Sequence, residues 1–150
     1  MKELLAAGCT AVALLLTSCA TVQKDGGKPV DFTEAHHYFV RNDAPIPSNP
    51  ITTTQEEFDK LYGCAAVMGN DGLPTPIDFS KQFTIGVILP ITNDNTEIIP
   101  RKLQTTGDTL TLHYSTKITE RNMSWKMQPM SLIIVDKKHL KMHCRLQQVK

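Results

Sequence analysis

The sequence predicts a mainly β domain: an antiparallel up-and-down barrel of about eight strands with one short α-helix, or, as the alternative, a two-sheet β-sandwich. Three observations carry this expectation. From Thr109 to Ile118 the residues alternate, with Leu110, Leu112, Tyr114, Thr116 and Ile118 on one face and Thr109, Thr111, His113, Ser115 and Lys117 on the other, the period of a strand with one buried face. Two continuous apolar runs, Phe83 to Leu89 and Met130 to Val135, have the length and β-branched content of buried strands. Helical spacing is confined to one segment, and most connections are short turns. Consecutive strands with little helix favour closure, because a barrel leaves no exposed edge; a sandwich solves the same problem less completely.

The 150 residues favour a single domain, preceded by segments that do not belong to the fold. Residues 1–18 are expected to be a lipoprotein signal peptide. Lys2 supplies its positive start, and Leu4 to Leu16 is an apolar run too short to span a bilayer. Leu16-Thr17-Ser18-Cys19 resembles the bacterial lipobox, whose cysteine is acylated and becomes the mature N-terminus. Residues 19–30 then read as a lipidated flexible tether, since Gln23 to Pro29 has little to bury. The domain proper is expected over residues 31–150, lipid-anchored to the outer membrane on its periplasmic or cell-surface face.

Within the domain, Ala35 to Arg41 reads as a first strand, and Pro45, Pro47 and Pro50 mark an extended loop that no sheet interior accepts. Thr54-Gln55-Glu56-Glu57 is a capping box: the hydroxyl takes the third amide and Glu57 reaches back to the cap amide. Phe58, Leu61 and Tyr62 follow at helical spacing, Gly63 reads as the stop, and Ala65 to Met68 as a short strand. Ile77 to Lys81 turns into the strand Phe83 to Leu89. The loop Pro90 to Asn95 leads to the strand Thr96 to Gln104, and a turn at Gly107-Asp108 leads into the alternating strand. Trp125 to Met127 begins another strand that Pro129 interrupts, and His139 to Val149 alternates with Leu140, Met142, Cys144 and Leu146 inward.

Removal of residues 1–18 and acylation of Cys19 leave Cys64 and Cys144, an even pair that in an exported protein suggests a disulfide. Two buried free thiols are the other possibility. No His-x-His, Cys-x-x-Cys or His-Glu-x-x-His occurs, and the adjacent His36 and His37 face opposite sides of a strand, so no metal or other cofactor is expected. No Gly-x-Ser-x-Gly elbow or phosphate-binding glycine loop is present, and Glu56-Glu57 is absorbed by the helix cap; no catalytic residues and no enzymatic activity are expected. The 16 basic and 15 acidic residues nearly cancel, which disfavours a nucleic-acid partner.

Two loops carry apolar residues where polar ones would suffice. Pro90-Ile91-Thr92-Asn93-Asp94-Asn95 places Ile91 near its tip, and Asn122 to Met127 holds the chain's single tryptophan, Trp125, between Met123 and Met127. Trp and Met are favoured anchors in interface cores. Pro90, Ile91, Thr92, Asn93, Asp94, Trp125 and Met127 are therefore the expected partner-binding residues, although Trp125 and the methionines could instead plug a barrel end.

Ile77-Asp78-Phe79-Ser80-Lys81, leading into Thr84-Ile85-Gly86-Val87-Ile88-Leu89, resembles the PrcB-like C-terminal domain family. Glu56-Glu57-Phe58 upstream, Gly107-Asp108, and Gln128-Pro129 before the strand Met130 to Val135 occupy corresponding places, so the resemblance covers roughly residues 51–138. The family's Pro-Thr-Gly-Gly-Tyr-like loop is replaced here by Pro90 to Asn95, without the glycines. The lipoprotein layout and size are also similar to the potempins, small outer-membrane β-barrel lipoproteins that inhibit peptidases secreted by the same bacterium. These resemblances imply a lipoprotein that inhibits a secreted peptidase, of the subtilisin-like serine class, through loops at one barrel end, with the membrane contacted through the N-terminal lipid only. A carrier of small molecules or lipids in the barrel lumen, or a structural envelope lipoprotein, are the alternatives; an interior filled by Leu110, Leu112, Tyr114, Leu140, Met142 and Leu146 would leave a carrier no room.

Overall fold

The computed structural model describes residues 26–141 and 143–150. The expected signal peptide, Cys19, most of the expected tether, and Met142 lie outside the described residues.

Strands β1 (Lys28–Pro29), β2 (Thr33–Ala35) and β3 (Tyr38–Val40) open the domain, followed by β4 (Ile51–Thr52), helix α1 (Gln55–Leu61) and β5 (Tyr62–Cys64). Then come the long strands β6 (Gln82–Ile88), β7 (Asn95–Thr106), β8 (Thr109–Glu120), β9 (Met130–Asp136) and β10 (His143–Gln148). They form two four-stranded sheets, ordered β1-β7-β8-β10 and β2-β9-β6-β4, and a two-stranded ribbon, β3-β5. The mainly β architecture agrees with the expectation. Among the described residues no ladder joins the two large sheets, so the arrangement is that of the sandwich alternative, with a third layer added.

Phe83, Ile85 and Val87 of β6 and Ile133 and Val135 of β9 pack against Leu103, Leu110, Leu112 and Tyr114 of the facing sheet. On the far side of the second sheet, Leu132 and Ile134 meet Val40, Phe58 and Tyr62 from the ribbon and the helix. The second sheet is thus covered on both faces, which is why β6 and β9 read as continuous apolar runs rather than alternating ones. Both cores are built from residues between Val30 and Leu146.

The β7–β8 hairpin turns through Gly107, whose φ of 56° lies where a Cβ is disfavoured. The helix begins as expected, the Thr54 hydroxyl accepting from the Glu57 amide at 3.2 Å. Glu57 reaches back one residue further than expected, to the Thr53 amide at 3.2 Å.

Several expectations are corrected by the chain's changes of layer. The strand foreseen over Ala35 to Arg41 is broken at His37 (φ 64°), where the chain leaves β2 in the second sheet for β3 in the ribbon. Gly63 does not stop the helix. Tyr62 is already extended, and Gly63 lies within β5 beneath the Phe39 ring, where an added Cβ would come within 2.5 Å of Phe39 Cζ. The strand is accordingly Tyr62–Cys64 and not Ala65 to Met68. Trp125 to Met127 adds only one isolated bridge, from Met127 to Thr92. The last strand starts at His143, because Lys137–His139 is a turn of 3-10 helix and Leu140 behind it is exposed. It pairs parallel to β8, so the topology is not purely up-and-down: β9 intervenes in the other sheet and returns the chain to the end where β8 begins. The domain also starts earlier than residue 31, since Lys28 and Pro29 pair with Thr105 and Gln104 and Val30 is buried.

The Cys64–Cys144 disulfide is not formed; both thiols are free. Cys64 lies on the ribbon and Cys144 packs against the core on the other side of the middle sheet. Cys64 is exposed, whereas burial pushes the Cys144 thiol up to about 12. In a chain of residues 20–150, a water-soluble thiol reagent at pH 8 is expected to modify Cys64 alone, and Cys144 only after denaturation, because the thiolate is the reactive form. Mass spectrometry of the labelled protein reads the result directly.

Candidate partner-binding surface

Because β6 to β9 alternate in direction, the β6–β7 loop (89–94) and the β8–β9 loop (121–129) emerge at the same end of the sandwich. They are bonded to each other. The Thr92 amide donates to the Met127 carbonyl at 2.9 Å, and the Met127 amide donates back to Thr92 at 2.8 Å. The Met123 amide donates to the Asn93 carbonyl at 2.8 Å. Asp94 Oδ1 accepts from the Asn122 amide at 3.0 Å, and its Oδ2 faces Arg121 Nη1 at 3.3 Å. Asn122 takes a left-handed conformation (φ 55°) to present that amide, one that asparagine tolerates better than most residues. The first loop is fixed internally as well, the Asp94 amide donating to Thr92 Oγ1 at 3.1 Å.

The expected contact residues therefore divide into two groups. Ile91 is 62% exposed and Trp125 55%; Pro90 and Asn93 are also exposed. Thr92 and Asp94 are half-buried and serve as the brace between the loops. Met127 is half-buried and lines a cleft. Trp125 does not plug the end of the domain.

That cleft, open and about 530 Å³ in volume, is lined by Ile91, Lys126, Met127 and Gln128 from the two loops and by Phe39, Val40 and Asn42 from the first half of the chain. Phe39 and Asn42 also face a neighbouring cleft of about 390 Å³ with Arg41, Pro45 and Lys60. The Phe39 ring, 44% exposed, is thus a ridge between two hollows. Phe39, Asn42, Lys126 and Gln128 were not among the residues expected from the sequence. For Phe39 a signal existed: the alternation that buries Val40 turns Phe39 outward.

The surface between the two loops is mixed in character. It combines exposed aromatic and aliphatic side chains with an Asp94–Arg121 pair whose charges cancel. Among the described residues no three His, Cys, Asp or Glu side chains are grouped so as to hold a metal ion. Between the sheets, Phe83, Ile85, Leu110, Leu112 and Ile133 are fully buried and fill the space that a lumen would occupy. Compared with known proteins, the chain matches no family model, no curated protein and no solved structure.

Proposed function

We propose that this chain is an outer-membrane lipoprotein, acylated at Cys19, that binds and inhibits a secreted peptidase through the Ile91–Trp125 end of its domain. The observation that carries the proposal is the mutual bracing of two loops that expose Ile91 and Trp125 beside the Phe39 cleft. An inhibitory loop must enter an active-site cleft without a large ordering cost, and a segment already fixed by main-chain hydrogen bonds meets that demand. Ile91 is the side chain placed to enter a specificity pocket. Phe39 lines the same cleft and Trp125 is exposed on the second loop, and together the two loops and β3 offer surface toward the roughly 800 Å² per partner of a standard inhibitor interface. Asp94 and Arg121 neutralise each other, so this pair adds little net charge to the contact.

The resemblance of Ile77 to Lys81 and its following strand to the PrcB-like domain, and of the lipoprotein layout to the potempins, favours a subtilisin-like serine peptidase as the target. The test is titration of residues 20–150 against the secreted peptidases of the bacterium that makes the protein. Stoichiometric inhibition of one of them is expected, and absence of inhibition of every class at micromolar concentration overturns the proposal.

A further inference from the structure

Charge is divided along this chain in a way its net value hides. The last fourteen residues hold Lys137, Lys138, Lys141, Arg145 and Lys150 without one Asp or Glu, while the preceding 136 hold eleven basic and fifteen acidic residues, a net of −4. The fold gathers Lys137, Lys138, Lys141 and Arg145 at one end, while Lys150 lies further along β8, past Tyr114. β9 closes with Asp136 opposite Gln82, the Lys137 amide donates to the Lys81 carbonyl at 2.8 Å, and β10 starts with His143 beside Thr109. Lys28 arrives at the same end, in register with Thr105.

The acidic groups there are Asp31, Asp78, Asp108 and Asp136, and two of them, Asp78 and Asp136, are already engaged. Asp78 accepts from the Ser80 amide at 2.9 Å and lies 3.9 Å from Lys81 Nζ; Asp136 accepts from the Lys138 amide at 2.9 Å and lies 3.6 Å from Lys138 Nζ. Lys28, Lys141 and Arg145 have no ion-pair partner among the described residues. The basic end lies opposite the Ile91–Trp125 end, separated from it by the twelve residues of β7, a span of about 40 Å.

We infer that this basic end is a lipid-facing surface that takes phosphate-bearing anionic headgroups and stands the domain with its Ile91–Trp125 end outward. The lipoprotein reading supplies only the means of approach: the nine residues from Cys19 to Lys28 reach at most about 30 Å even fully extended. Acylation therefore keeps this end, rather than the opposite one, beside the headgroups. There a lysine cluster gains from the negative surface potential, which decays within a Debye length of roughly 8–10 Å.

The test uses residues 20–150, which contain both apolar cores and no acylated cysteine, in co-sedimentation with vesicles. Binding is expected to phosphatidylglycerol vesicles and not to phosphatidylcholine vesicles, with release at about 0.5 M salt. Lys28→Gln, Lys138→Gln and Lys141→Gln combined are expected to weaken binding on the order of a hundredfold, at roughly fivefold per charge removed. Ile91→Asp is expected to bind vesicles as the parent does, and the triple variant to inhibit peptidase in solution as the parent does, so the two proposals fail separately. No binding to anionic vesicles, binding that ignores salt, or an unchanged triple variant overturns the inference. Displacement by millimolar inorganic phosphate also overturns it, since that marks a discrete phosphate site rather than a lipid-facing surface.

Discussion

Phe83→Ala is expected to lower the stability of the domain by about 3–5 kcal/mol, enough to leave much of it unfolded under ordinary conditions. Phe83 is fully buried, and it begins the inward-facing row of β6, beside Val135 of β9 and against the facing sheet. Its ring contributes to the core that holds the two sheets together, and alanine would leave a cavity between layers that cannot close without moving whole strands. Urea unfolding followed by circular dichroism measures the change. A loss below about 1 kcal/mol would show that the inter-sheet core is not packed as described.

Ile91→Asp is expected to weaken peptidase inhibition about thirtyfold or more while leaving the stability of the fold within about 0.5 kcal/mol of the parent. The side chain is mostly exposed, and the hydrogen bonds that brace its loop come from Thr92, Asn93 and Asp94. A carboxylate at the centre of an apolar interface has to be desolvated without a partner, and central anchors of this kind cost 2 kcal/mol or more when lost, about thirtyfold in the inhibition constant. An unchanged inhibition constant would reduce the loop to a connector.

Local periodicity made the β7–β8 hairpin, the helix start at Thr54 and the two buried strands legible, because each is written within a dozen residues. What was not legible depends on which distant segments become neighbours. Nothing near Cys144 says that its strand lies parallel to β8, and nothing near His37 says that the chain changes layer there. Thr111, His113 and Ser115 belong to the polar face of β8 yet are buried. β8 is an inner strand flanked by long side chains: Arg101 Nε donates to Ser115 Oγ at 2.7 Å, and Gln147 lies in register with His113. The binding surface divided in the same way. Ile91 and Trp125 were visible because apolar residues in loops are out of place. Thr92 and Asp94 looked equally exposed, and only the approach of Met127 to Thr92, and of Asn122 and Arg121 to Asp94, turns them into struts.

The pairing of β2 with β9 has a kinetic consequence. Thr33 lies opposite Ile134, so a strand near the beginning of the domain finds its neighbour only when nearly all of the chain is available. Proteins dominated by such distant pairings fold slowly, in milliseconds to seconds. A chain delivered N-terminus first therefore stays open until residues beyond 134 have emerged. On the proposed lipoprotein reading, in which the chain crosses a membrane unfolded, this ordering would postpone closure of the middle sheet until passage is almost complete.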